Sequence, residues 1–321
     1  MKAQAIAHTM EGLVKYHGLK DWALRIPYHD SISVNLQAFT TITEVKFGDF
    51  GVDEAYIDGQ RVTGREMDRI LTVINYIRNL AGIEENFYMS SRNSIPKGAV
   101  KGLGFSSAGG AALAAAAYKA AGLDKIYGWD LKTISRIARR LAGSACRSVV
   151  GYYARWYAGD SDENSYAVCF ADNKSLELNV VVVPLAAEYS TEDAHREAEL
   201  SPFFKARVKS AQERCDLFEK AVVEGDFKTV GELAEIDSLE LHAVTMTGPS
   251  KLILMRPESL RTVNEVLRLR TEGVDCYYSM QTGPTVYINT LPEDTDYVKA
   301  RIEDLGFKPY VSEIGGPVRT A

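Results

Sequence analysis

Three stretches of this chain carry side chains that could bind an anion and act on it. The first runs from Asn93 to Leu123, NSIPKGAVKGLGFSSAGGAALAAAAYKAAGL. Gly98, Gly102 and Gly104 permit backbone conformations that a Cβ forbids, and Ser106 and Ser107 offer hydroxyls and can cap the alanine-rich helix that follows. The free N–H groups at such a helix start favour an anion, so the loop is read as a phosphate site; a glycine-rich turn ahead of a core helix would look the same locally. It is neither a Walker-type loop, since no Gly-Lys-Ser/Thr closes it, nor a dinucleotide fingerprint. The second stretch is a polar, aromatic loop from Lys15, Tyr16 and His17 through Arg25, Tyr28, His29 and Asp30. Such residues on a rigid sheet make a binding site, or else are simply solvated. The third, GSACRS from Gly143 to Ser148, sets small residues beside Arg147, a cation able to hold a carboxylate or phosphate bidentately unless it pairs with an internal acid. Near an expected helix start, His195 and Arg196 could add further cations or lie on a solvated face.

The elements that position these residues follow from hydrophobic period and turn chemistry. Alternating, β-branched stretches at 31–39 and 40–46 predict consecutive antiparallel strands, and 53–63 predicts a hairpin with Asp58-Gly59 at its tip. Apolar residues at Met67, Ile70, Leu71, Val73, Ile74 and Ile77 predict an amphipathic helix over 64–81. A short strand at 87–90 then leads into the glycine-rich loop. Helices are expected over 111–121, 130–141, 258–270 and 293–305, with strands at 180–185, 276–280 and 308–312. This mixture, with antiparallel strands, reads as α+β. A division near residue 180 gives an N-terminal lobe of 1–180 with the glycine-rich loop and a C-terminal lobe of 181–321.

With 321 residues and 46% hydrophobic content the chain can bury a large core unaided. Its 37 basic and 43 acidic residues, without long like-charge blocks, argue against general nucleic-acid affinity. No charged-then-apolar leader opens the sequence and no apolar run is long enough to span a bilayer, so no membrane partner is expected and the location is read as cytoplasmic. Cysteines at 146, 169, 215 and 276 are scattered without metal-ligand spacing, as are the five histidines, so free thiols and no metal are predicted.

Taken together, the segments AHTMEGLVKYHG, LRIPYHDSISVNL, PKGAVKGLGFSSAGGAALAAAA, RIARRLAGSACRSVVG, STED with SPFFKAR, DS with HAVTMTGP, and TGPTVYI resemble one family, in order and over nearly the whole chain. It is the mevalonate diphosphate decarboxylase branch of the superfamily that contains galactokinase, homoserine kinase, mevalonate kinase and phosphomevalonate kinase. The closest resemblance is to archaeal decarboxylases of monophosphorylated or 3,5-bisphosphorylated mevalonate. It implies a two-lobed α+β fold with the substrate in the cleft between lobes, a homodimer, and a place in isoprenoid biosynthesis.

Residue by residue, the resemblance makes Lys15 and Tyr16 contacts to substrate phosphate, Ser144 a substrate-binding hydroxyl and Arg147 the clamp on the mevalonate carboxylate. Three departures bear on activity. The family's PxxxGLxSSA loop is lengthened here by residues around Lys97 to Lys101, with Phe105 beside the serines; Ala142 replaces a serine; and Gln281 stands where the family's DxGP segment places an aspartate that serves the 3-hydroxyl. An amide cannot accept a proton at neutral pH. The expectation is therefore a decarboxylase that eliminates phosphate and CO2 from mevalonate 3,5-bisphosphate without ATP or another cofactor, giving isopentenyl phosphate. The alternatives are a Mg-ATP-dependent phosphomevalonate decarboxylase and an inactive relative.

Overall fold

The structure, a computed structural model, describes residues 1–95, 102–187 and 189–321. The lengthened part of the glycine-rich loop, with Gly98 and Lys97 to Lys101, lies outside the described residues.

Two long antiparallel strands form the spine, Lys2–Val14 and Ser31–Gly48, in register from Lys2 opposite Lys46 to Val14 opposite Ile32. Two strands were expected over 31–46; one continuous strand is found. The pairing slips between His8, opposite Thr40, and Thr9, opposite Leu36, so three residues bulge from the longer strand. That bulge breaks the period-two alternation and mimics a strand end.

Ser31–Gly48 carries neighbours along its whole length. Asn86–Asn93 pairs with its C-terminal half, Tyr153–Tyr157 with its N-terminal end, and Tyr310–Gly315 with Asn35 and Leu36. Through Tyr310–Gly315 the sheet continues into Asn179–Val183, Val286–Thr290 and Cys276–Met280, all antiparallel. One 12-stranded sheet thus links both halves among the described residues, and the fold is α+β with two lobes. The predicted hairpin is present as Glu54–Ile57 and Gln60–Arg61, with Asp58 and Gly59 in positive φ at its tip.

The alanine-rich helix runs Phe105–Ala120, beginning a turn and a half before the expected start. Ala111, Ala112 and Ala114 to Ala117 are fully buried. Their small side chains let neighbours approach to backbone distance. A Cβ on Gly110 would stand 2.7 Å from that of Ala145, so this glycine allows the short helix Ala145–Val150, which carries Arg147, to pack at close range. The cap differs from expectation. Gly104 is the N-cap, in the left-handed region at φ 72°, and both serines lie within the first turn. Ser107 Oγ turns back to donate to Gly104 O at 2.8 Å and caps nothing.

Candidate active site

A cavity of about 610 Å³ opens between the glycine-rich loop, the Lys15 to Arg25 segment, the Ala142 to Arg147 turn and the Gln281 to Thr285 segment. That is the size range of small-molecule sites. Lys15, Tyr16, Ser144, Arg147, His195, Gln281, Gly102, Gly104, Ser106 and Ser107 all line it. Of the described site residues expected from sequence, Arg196 and, from the polar loop, His17, Tyr28, His29 and Asp30 do not line it.

Arg147 is fully buried, and among the described residues no carboxylate forms an ion pair with it. Its Nη1 makes a long 3.4 Å contact to Ile32 O, its Nε has no hydrogen-bond partner, and its guanidinium lies 5.6 and 5.9 Å from the rings of Tyr16 and Trp156. Burial lowers its pKa, yet a guanidinium remains charged. An unpaired buried cation is costly unless a ligand supplies the anion. The alternative of an arginine paired with an internal acid is not what the fold provides. Gly143 makes room for this wall, because a Cβ there would fall 2.7 Å from the Tyr16 hydroxyl. Ser144, the N-cap of the Arg147 helix, makes no side-chain capping bond, which leaves its hydroxyl available to a substrate.

Lys15 sits at the end of the first spine strand, where it is only 5% exposed. Its backbone is locked from behind. The N–H donates to Asp237 Oδ2 at 2.9 Å, and Arg207 Nη2 donates to its carbonyl at 2.9 Å. Asp237 is itself held by Arg207 and Arg214, at 2.8 and 2.9 Å. The stem folds over Gly12, where an added Cβ would approach Cε to 2.8 Å. Nζ donates to Gln281 Oε1 at 2.7 Å, and Gln281 Nε2 donates to Met10 O at 3.2 Å, which fixes the amide orientation. Burial, then repulsion from Arg147, holds the Lys15 pKa well below its ordinary value.

Tyr16 stacks on His195 with centroids 4.8 Å apart and meets Trp156 edge-on at the same distance. Of the two readings open for His195 and Arg196, further cations or a solvated face, the first does not hold for the cavity. His195 is buried, accepts from Gly18 N–H at Nδ1 (3.0 Å), and has its pKa pushed down to about 3 by burial and by Lys15 and Arg25, so it is a neutral wall. Arg196, next along the helix, points outward over the Trp22 ring, 4.1 Å away. Elsewhere in the polar loop, Arg25 reaches the cavity, whereas Asp30 is paired with Arg155, at 2.8 Å, and Tyr28 packs edge-on against Phe204.

Arg65 and Arg69 were missed. They lie four residues apart on one face of the Gly64–Ala81 helix and join Arg25 at the cavity rim. Arg69 also donates to Leu141 O from Nε and Nη2, at 3.0 and 2.6 Å. The i, i+4 spacing of two arginines on the polar face was the available signal.

Residues 7–167 match the diphosphomevalonate decarboxylase-like N-terminal domain, and residues 181–310 match the mevalonate 5-diphosphate decarboxylase C-terminal domain. The chain belongs to the diphosphomevalonate decarboxylase family. A phosphomevalonate decarboxylase of Haloferax volcanii is 40% identical over 319 residues, spanning 99% of this chain and 97% of the relative. The human diphosphomevalonate decarboxylase is 28% identical over 88% of this chain and 74% of its own. The crystal structure of the Staphylococcus aureus mevalonate diphosphate decarboxylase superposes with a TM-score of 0.93 at 31% identity, covering 100% of this chain and 98% of the other. This decarboxylase is an enzyme of the carboxy-lyase class acting on a phosphorylated mevalonate. Among its described residues, no helix is long and apolar enough to cross a membrane.

Behind the decarboxylase site, Glu11 joins the lobes. Its Oε1 accepts from Ser279 Oγ and, at 3.2 Å, from Asn289 Nδ2, both on strands beyond residue 275. Complete burial raises its pKa from 4.5 to about 7. A raised carboxyl pKa means that the folded state holds the proton longer. The stability contributed is full below pH 4.5 and is lost as pH rises through about 7, a fall on the order of 3 kcal/mol. Glu11→Gln is expected to flatten this fall in denaturant titrations from pH 4.5 to 8; an unchanged slope would show that Glu11 does not carry it.

Proposed function

We propose that this enzyme eliminates phosphate and CO2 from mevalonate 3,5-bisphosphate, giving isopentenyl phosphate without ATP. The single observation that carries the reading is the Lys15 to Gln281 hydrogen bond of 2.7 Å. By resemblance to the family's late DxGP segment, a neutral amide stands in for the aspartate that would serve the 3-hydroxyl. It cannot take that proton, but it presents Lys15 to an anion. The lengthened glycine-rich loop supports the same reading, because the family's phosphate-binding spacing is altered there.

The chemistry asked of the residues is then positioning and charge neutralisation. The C3–O bond breaks with its electron pair leaving on phosphate. The C1–C2 pair moves in to form the C2=C3 alkene, and C1 departs as CO2. Arg147 orients the carboxylate so that C1–C2 can align with the breaking C3–O bond, with the Ser144 hydroxyl beside it. Lys15 takes up charge developing on the departing phosphate, and the first turn of the Phe105–Ala120 helix borders the same space. Tyr16, Trp156 and the neutral His195 ring keep out water that would trap a developing carbocation.

The similarity to the Haloferax volcanii phosphomevalonate decarboxylase favours a second reading, in which mevalonate 5-phosphate is first phosphorylated at the 3-hydroxyl by Mg-ATP. Parallel incubations with the 3,5-bisphosphate and the 5-phosphate, each with and without Mg-ATP, separate the two. The proposal predicts turnover of the bisphosphate in both of its arms and of the 5-phosphate in neither.

A further inference from the structure

One carboxylate crosses the mouth of the cavity. Glu192 is the second residue of the Thr191–Glu199 helix, whose start is fixed by a capping box between Ser190 and Asp193. From that fixed point its side chain pairs with Arg25 Nη2 at 3.4 Å and with Arg65 Nη2, on the opposite wall. Arg25 and Glu192 are mostly shielded, with side chains 16% and 21% exposed, whereas Arg65 is 77% exposed, so the Arg25 pairing is the shielded half of the bridge and the Arg65 pairing the solvated half. Arg69 lies within the electrostatic reach of all three. The rim therefore holds three guanidinium groups, Arg25, Arg65 and Arg69, against two carboxylates, Glu66 and Glu192.

That balance suits one phosphate better than two. A phosphate monoester carries about −1.5 to −2 at neutral pH, and a second phosphoryl group adds charge and needs donors of its own. Two of the cations lining the cavity, Arg25 and Arg65, are already engaged by Glu192. A longer anion would have to displace a carboxylate held at both oxygens or lie against it, and either costs affinity through unpaired or like charge.

Building on the assignment of the cleft to a phosphorylated mevalonate, we infer that Glu192 is a specificity-determining residue. It occupies Arg25 and Arg65 so that the site accepts a single phosphate at the 5-end and rejects the 5-diphosphate.

The test is calorimetric titration of the full chain with mevalonate 5-phosphate and mevalonate 5-diphosphate, which needs no turnover and no nucleotide. The native protein should prefer the monophosphate by about tenfold or more, the effect of one unfavourable charge contact. Glu192→Gln should gain about tenfold for the diphosphate while its affinity for the monophosphate stays within about threefold, and Glu192→Asp should keep the native preference. Equal affinity of the native protein for both ligands, or a ratio unmoved by Glu192→Gln, would overturn the inference. So would a parallel loss for both ligands, which would mark Glu192 as a structural strut. Binding of neither ligand by the native protein would overturn the cleft assignment itself, and the inference with it.

Discussion

Arg147→Met is expected to lower kcat/KM for decarboxylation by about 10³-fold while leaving the melting temperature unchanged or raised. The two halves of that result have one cause. The guanidinium is fully buried and pairs with no carboxylate among the described residues, so the free enzyme bears the cost of desolvating it. Removing the charge relieves that cost. Methionine fills much of the space beside Tyr16 and Trp156, which limits any cavity. The loss should fall mainly on kcat, because an unclamped carboxylate still binds through the phosphates but samples unproductive rotamers about C2–C3. A variant that melts normally and keeps native turnover would remove the carboxylate assignment.

The second large effect concerns the Lys15 and Gln281 pair. Lys15→Met should cost about 10³-fold in kcat, because among the described residues Lys15 is the cation that Gln281 holds in the cavity. Gln281→Asp is the more informative change. In the ATP-independent scheme an introduced carboxylate would pair with Nζ and repel the 3-phosphate, so turnover of the bisphosphate should drop by about tenfold. A rate on the bisphosphate that rises in Gln281→Asp would mean that a carboxylate serves the elimination itself, and that the amide does not act by presenting Lys15.

How far these sites could be read from the sequence depends on what each one needs. The GSACRS turn was legible as small residues set beside an arginine, and the fold puts Gly143, Ser144 and Arg147 on one cavity, with no ion pair to Arg147 among the described residues. Helices with clean periods, such as Gly64–Ala81, were readable almost to the residue. The first spine strand, Lys2–Val14, was not assigned. Its alanines and Gly12 have weak strand preference, and it is held in the sheet by pairing along nearly all of Ser31–Gly48. His195 shows a different limit. Its residue type suggested a cation, but charge state depends on burial and on a hydrogen bond from Gly18, 177 positions away in sequence. Arg196 failed by geometry alone, since the next residue on a helix points about 100° away. The rim arginines were hidden because a polar helix face ordinarily needs no further explanation.

In the proposed reaction carbon dioxide leaves without a nucleotide. Its most direct test is incubation of the purified enzyme with mevalonate 3,5-bisphosphate in nucleotide-free buffer, following CO2, inorganic phosphate and isopentenyl phosphate together. All three are expected in equal amounts, with a rate unaffected by added Mg-ATP. Release of CO2 only from mevalonate 5-phosphate, and only when Mg-ATP is present, would contradict it.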